Sequence, residues 1–410
     1  MNVSLKSIKP SRIFEGDTVI WMVLFFLCII SILEVYSASS NMTYKTGVFW
    51  KPVAQHTLFL GVGVLTAVMI HKIPCRFFKL IPVVFIPISV VMLIMVMFTG
   101  KVNGASRWLG WEGLSFQPSE IAKGALITAT ALILSSLRNE KGAQKTAFKL
   151  IMIVAVTICG LIAPENFSTA AMTFSVVILM MFVGRVPGKQ LAILVGLLVA
   201  GATVGYSILR YTPEDTIQQV SELPGMHRLP TWSNRIKYSV DEPEDPKKYD
   251  IKSNPQVTHA RIAIATCNVV GKGPGNSVER DFLPQAFSDF IFAIIIEELG
   301  LGGGLLVLFL YIVLLFRAAR IASQCEKNFP AFLVMGLALM LVIQALFNMG
   351  VAVGVAPVTG QPLPLISKGG TATIINCAYI GVMLSVSRTA KRKSDATDEA
   401  YSKSENYHKT

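Results

Sequence analysis

Residues 18–37 read TVIWMVLFFLCIISILEVYS, an apolar run about as long as the roughly 20 residues a helix needs to cross a bilayer. The polar segment before it holds Lys6, Lys9 and Arg12, and no small-residue cleavage site follows, so the run reads as a retained anchor rather than a signal peptide. Working outward, nine more runs of the same kind follow, at about 53–71, 79–98, 117–135, 148–163, 168–184, 190–210, 287–316, 330–353 and 368–387. Only Pro164, Glu165, Asn166 and Phe167 separate the fifth from the sixth, which predicts a tight helical hairpin. Across the 410 residues, 52% are hydrophobic and 15% charged, well below the roughly 25% charged residues of a soluble domain. The expected fold is an all-α integral membrane protein of ten transmembrane helices: one membrane domain over 1–388 and a disordered cytoplasmic tail over 389–410.

Lys and Arg set the orientation. They gather at Lys72, Arg76 and Lys79, at Arg138, Lys141, Lys145 and Lys149, at Arg185 and Lys189, at Arg317, Arg320 and Lys327, and at Arg388, Lys391, Arg392 and Lys393. The alternate short loops hold few: Lys45, Lys51, Lys101, Arg107 and Lys368. Both termini are therefore expected in the cytoplasm. Segment 99–116, with Trp108 and Trp111, falls outside, as does the long polar loop 211–286, with room for short helices on the membrane surface. Trp21, Trp50, Trp108 and Trp111 suit the membrane interfaces. The net charge of +12 is accounted for by topology and anionic headgroups, not nucleic acid. The six cysteines form no CxxC pair, the five histidines show no metal-ligand spacing, and no Walker loop or dinucleotide fingerprint occurs.

Four places can carry chemistry, because charge and irregular backbone are costly inside a membrane. Asp289 stands where the long loop enters the eighth run; it can serve as a general base on a sugar hydroxyl or as a carboxylate at a helix N-terminus. Glu297 and Glu298 follow in that run. On one continuous helix Glu297 falls about 80° from Asp289 and about 12 Å further along, with Glu298 on the opposite face. At least one of the two is then a helix-packing residue. Glu120 and Lys123, spaced i, i+3 behind Pro118, can neutralise each other or line a cavity, where Lys123 could face a pyrophosphate. The stretch Pro357-Val-Thr-Gly-Gln-Pro-Leu-Pro-Leu-Ile-Ser-Lys-Gly-Gly-Thr forbids a regular helix, and so is either a re-entrant turn or the lining of a wet cavity. There Ser367, Lys368, Gly369 and Gly370 precede a helix N-terminus suited to anions. Gly300 and Gly304 read as a helix-packing face.

These places also resemble one family. Val35-Tyr-Ser-Ala-Ser, Asn103-Gly-Ala-Ser-Arg-Trp-Leu, Phe116-Gln-Pro-Ser-Glu-Ile-Ala-Lys, Leu283-Pro-Gln-Ala-Phe-Ser-Asp-Phe-Ile-Phe-Ala, Glu297-Glu-Leu-Gly and Pro364-Leu-Ile-Ser-Lys-Gly-Gly occur in order, and together resemble the FtsW/RodA/SpoVE family. The resemblance implies a peptidoglycan glycosyltransferase that polymerises lipid II, the undecaprenyl-pyrophosphate disaccharide-peptide, at the outer face of the bacterial cytoplasmic membrane. It puts the base on Asp289 and a second acid near Asp281, ahead of the Leu-Pro. Gly271-Lys-Gly-Pro-Gly-Asn-Ser is closer to the division branch than to the elongation branch, which implies the septum. The expected partners are a class B penicillin-binding protein, other division proteins and membrane lipid. The chain departs from the family pattern at Phe287, Ile296, Lys368 and Glu165–Asn166, which bears on substrate contacts rather than on the base.

The expected reaction is one inverting displacement: Asp289 takes the proton of the acceptor hydroxyl, the oxygen attacks the anomeric carbon and undecaprenyl pyrophosphate leaves. Arg107, Lys123 and Lys368 are the candidates for the leaving charge, with Glu120, Asp281, Ser367, Gly369 and Gly370 beside substrate. No protein metal site is expected; a divalent cation, magnesium or manganese, is the one cofactor left open. Three alternatives stand: an elongation polymerase of the same family, a lipid II flippase, which needs polar residues at mid-membrane depth, and an inactive scaffold for a transpeptidase.

Overall fold

The structure is a computed structural model that describes residues 14–38, 51–98, 107–111, 114–140, 142–223, 226, 228–240, 255–267, 269–283 and 288–407. The expectations for Lys6, Lys9, Arg12, Trp50, Asn103–Ser106, the charged run 241–250 and Pro284–Phe287 lie outside those residues. The helices are α1 (Thr18–Ala38), α2 (Lys51–Ile70), α3 (Ile81–Met97), α4 (Pro118–Ser136), α5 (Lys145–Val183), α6 (Gly188–Tyr211), α7 (Glu214–Ser221), α8 (Leu229–Val240), α9 (Pro255–Ala265), α10 (Ile291–Gln324), α11 (Asn328–Ala352) and α12 (Thr371–Tyr407). Two small antiparallel hairpins, unforeseen in the sequence, interrupt them: β1 (Leu109–Trp111) with β2 (Leu114–Phe116), and β3 (Arg138–Asn139) with β4 (Gly142–Ala143).

Seven of the described helices are long and apolar enough to cross a membrane. Two of these are too long for one straight pass, since about 1.5 Å per residue carries them well beyond a hydrocarbon core of about 30 Å. Each has one non-helical residue. In α5 it is Asn166, at φ −149° and ψ 74°. The two ends of α5 meet, because the Ala143 N–H donates to the Gly184 and Arg185 carbonyls at 3.3 Å, so the chain doubles back as the predicted hairpin. In α10 the break is Gly300, at φ 73° and ψ −176°. This corrects the reading of Gly300 as a packing surface, and it ends the continuous helix on which Glu297 and Glu298 were placed.

Helix α4 is buried on nearly every face, with Glu120 and Lys123 inside. Helix α11 is likewise interior, whereas α6 has no buried residue and turns its apolar side chains outward, as a lipid-facing helix does. Small residues let α2 and α12 approach closely: a Cβ on Gly63 would lie 2.8 Å from Cys377 Sγ, and one on Gly381 2.9 Å from Ala67 Cα. The described residues between α6 and α10 include the short helices α7, α8 and α9. Ser233 of α8 donates to the Leu209 carbonyl at 2.9 Å, and Trp232 meets Phe167 with ring centroids 5.4 Å apart.

The basic loops are tied together. Asp17 pairs with Arg317, and Glu15 with Arg388 at 3.5 Å. Arg388 also donates to the Lys72 carbonyl at 2.9 Å, and Arg138 to Asn328 Oδ1 at 3.0 Å. Beyond residue 388, where the sequence suggests a disordered tail, α12 continues to Tyr407. That stretch is rich in Ala, Lys, Arg and Glu, which are good helix formers even without an apolar face.

Candidate active site

The irregular stretch 357–370 is the centre of the site. Its backbone from Leu363 to Ser367 is buried, so its polar groups need partners from the surrounding helices. They find them. Gln344 of α11 donates to the Pro362 carbonyl at 3.0 Å, and Asn348, one turn on, to the Gln361 carbonyl at 2.7 Å. Tyr311 of α10 donates to the Pro364 carbonyl, and Ser31 of α1 to the Ile366 carbonyl at 2.7 Å. Between those two anchors Leu365 sits at φ 66°, a strained conformation for a branched residue that the contacts on both sides hold in place. Gln361 reaches back to Thr169 Oγ1 at 2.6 Å, beside the Asn166 break in α5.

This loop grips the segment that bears Asp289. Asn348 donates to the Asp289 carbonyl at 2.9 Å, and Ser367 to the Ser288 carbonyl at 2.7 Å. Asp289 lies two residues before the start of α10, not within it, and is half-buried. Its Oδ1 accepts from Ser288 Oγ at 3.0 Å, and its Oδ2 lies 3.6 Å from where a Cβ on Gly360 would stand. The backbone at Asp289 is thus fixed from two sides, with the carboxylate facing the loop. Lys368, Gly369 and Gly370 follow Ser367 and lead into α12, each half-buried.

Glu297 and Glu298 turn out to share one task. Both are buried and both bind the segment 272–280. Glu297 takes Lys272 Nζ at 2.6 Å, the Val278 N–H at 3.1 Å and the Ser277 hydroxyl. Glu298 takes the N–H groups of Gly275 and Ser277 at 2.9 and 3.2 Å and the Ser37 hydroxyl, with Arg280 at 3.8 Å. The two side chains still diverge by about 100° on the helix before Gly300, and they reach one segment because it wraps around the helix end; both are structural, as the spacing argument asked of at least one. Their freed carbonyls accept from the Lys272 and Gly273 N–H groups at 2.9 and 2.8 Å, so the loop wraps the end of the half-helix. Contact this close needs glycine: a Cβ on Gly271, at φ +75°, would lie 2.3 Å from the Gly300 nitrogen. Asp281 ends the wrapped segment, half-exposed, 3.8 Å from Arg280.

Glu120 and Lys123 pair at 2.8 Å in the interior, and Lys123 also donates to Gln344 Oε1 at 3.0 Å. Lys123 is sealed beneath the 357–370 loop, which corrects its reading as a surface for pyrophosphate: its charge is consumed by neighbours. Arg107 stands elsewhere, donating to the Glu165 carbonyl at 2.8 Å in a cavity shared with Gln117, Ser119 and Asn166. Sequence reasoning missed Gln344, Asn348, Tyr311, Ser31 and Thr169. The signal for the first two was polar residues at i, i+4 in an otherwise apolar run. Among the described residues no group of three or more His, Cys, Asp or Glu side chains could hold a metal.

Comparison with known proteins agrees with this architecture. The family FTSW_RODA_SPOVE, described as "Cell cycle protein", matches residues 17–392. The chain is 30% identical over 391 residues to the "Probable peptidoglycan glycosyltransferase FtsW" of Trichlorobacter lovleyi, covering 93% of this chain and 96% of that one. A protein of the same name from Geobacter sp. (strain M18) is 31% identical over 392 residues, covering 92% and 98%. Among solved structures, a chain from "Structural coordination of polymerization and crosslinking by a peptidoglycan synthase complex" superposes with a TM-score of 0.70 at 25% identity, covering 92% and 98%. The RodA of Thermus thermophilus gives a TM-score of 0.63 at 22% identity, covering 91% and 97%, and shares the fold.

Proposed function

Since the chain belongs to the FtsW/RodA/SpoVE family of cell cycle proteins, we propose that it is a peptidoglycan glycosyltransferase polymerising lipid II for the division septum, with Asp289 as its base. One observation carries the assignment of the base: Asn348 holds the Asp289 carbonyl and Ser367 the Ser288 carbonyl just before it, at the junction of the broken helix and the buried loop. A group fixed in this way can meet an incoming hydroxyl without reorganising. Asp289 accepts the acceptor sugar's hydroxyl proton; that oxygen bonds to the anomeric carbon of the second lipid-linked sugar as its bond to pyrophosphate breaks. One displacement needs one base, so Glu297 and Glu298 are free for structure. Arg107 and Lys368 meet the leaving pyrophosphate, while Lys123, paired with Glu120 and bonded to Gln344, supports the loop from inside. A divalent cation carried in by the pyrophosphate itself would share that charge.

The same reading places the tied basic loops in the cytoplasm and Asp289 toward the outer face. It gives ten crossings: the seven apolar helices, the second pass within α5, and the interior helices α4 and α12. It sets the protein in the cytoplasmic membrane at the septum, beside a class B penicillin-binding protein. The test uses purified chain with that partner, its transpeptidase blocked, and fluorescent lipid II with magnesium. Glycan ladders on a gel are the expected result. No ladders, with lipid II crossing liposome membranes instead, would reassign the protein as a flippase.

A further inference from the structure

Where the basic loops meet, a cavity of about 300 Å³ opens between the short 3₁₀ turn Cys75–Leu80, the end of α10, the start of α11 and α12 near Val386. Its wall carries Arg76, Lys79 and Lys327 against one acid, Glu326, an excess of positive charge. Neighbouring cations are neutralised, Arg317 by Asp17 and Arg388 by Glu15. Among the described residues none of Arg76, Lys79 and Lys327 makes such an ion pair; Arg76 and Lys79 instead lie over the rings of Phe77 and Phe329, 4.9 and 5.7 Å from the centroids. Phe329 and Val386 make the floor apolar. The cavity therefore has cations at the rim and hydrocarbon beneath, at the ends of membrane helices.

We propose that this cavity binds one anionic phospholipid, its phosphate on Arg76, Lys79 and Lys327 and its acyl chains running down between α10, α11 and α12. Guanidinium and ammonium groups recognise a phosphate by charge-assisted hydrogen bonds, and basic pockets between membrane helices on the positive side suit anionic headgroups. A zwitterionic lipid would bring its own cation against the three already there. The bound lipid would bridge the far end of α10 and the middle of α12, the helices that Asp289 and Lys368 precede.

Native mass spectrometry of the detergent-purified full chain, with added phosphatidylglycerol or phosphatidylcholine, tests this. One phosphatidylglycerol should be retained per chain in preference to phosphatidylcholine. Each of Arg76→Gln, Lys79→Gln and Lys327→Gln should weaken retention about fivefold, the effect of about one headgroup contact. Lys327 is exposed at the start of α11, so Lys327→Gln keeps the fold even if the triple variant does not. Undiminished retention in Lys327→Gln and in any folded triple variant would overturn the proposal, as would equal retention of the two lipids. Displacement of the bound lipid by millimolar inorganic phosphate would also overturn it, assigning the cavity to free phosphate.

Discussion

Asp289 and the Glu297–Glu298 pair stand close together in the chain, and the protein holds them in opposite ways. At Glu297 and Glu298 the carboxylates themselves are gripped, by Lys272, by backbone N–H groups and by the Ser37 and Ser277 hydroxyls. At Asp289 the grip from other elements falls on the backbone, Asn348 on its own carbonyl and Ser367 on that of Ser288, while the carboxylate at the loop takes the neighbouring Ser288 hydroxyl. A carboxylate whose oxygens are fully bonded in the interior is costly to move, so it serves architecture. A carboxylate on a fixed backbone can exchange a proton and keep its position. The contrast separates the proposed base from the residues that hold the loop leading to it.

Changes to the wrapped end should disturb folding first. Gly271→Ala forces a Cβ against the Gly300 nitrogen at positive φ, and should cost about 3–5 kcal/mol in thermal unfolding, with proteolysis opening the loop before α10. Glu298→Gln loses the charge facing Arg280 and weakens the acceptor for Gly275 and Ser277; about 1–3 kcal/mol is expected, with activity reduced but present. Asn348→Ala acts on the other side of the comparison. It should lower kcat about tenfold, the order of 1.4 kcal/mol, with KM little changed, because it loosens the backbone of the base rather than substrate. Lys272→Met should matter least, below about 1 kcal/mol, since Lys272 is partly open to water and Glu297 keeps its other donors.

Much of this was legible in the sequence. The apolar runs and the loop prolines and glycines fixed the helices, the hairpin at Asn166 and the irregular 357–370 stretch, because bilayer thickness and proline chemistry act locally. Asp289 stood out because an acid at the mouth of an apolar run is costly. The break at Gly300 was not legible: hydropathy continues smoothly through it, and the cause is a loop some thirty residues earlier that packs on it. For the same reason the partners of Glu297 and Glu298 could not be read from helical spacing. Gln344 and Asn348 were visible as polar residues in α11, but their targets, the carbonyls of Pro362, Gln361 and Asp289, exist only once the chain has folded.

The most direct measurement sets Asp289→Asn beside Glu298→Gln in one glycan-polymerisation assay, with thermal unfolding of each protein. Asp289→Asn should lose about 10²–10⁴-fold in rate, the range of a general base, while unfolding like the parent chain, and Glu298→Gln should unfold earlier yet still polymerise. An Asp289→Asn protein that extends glycan at the parent rate would contradict the account.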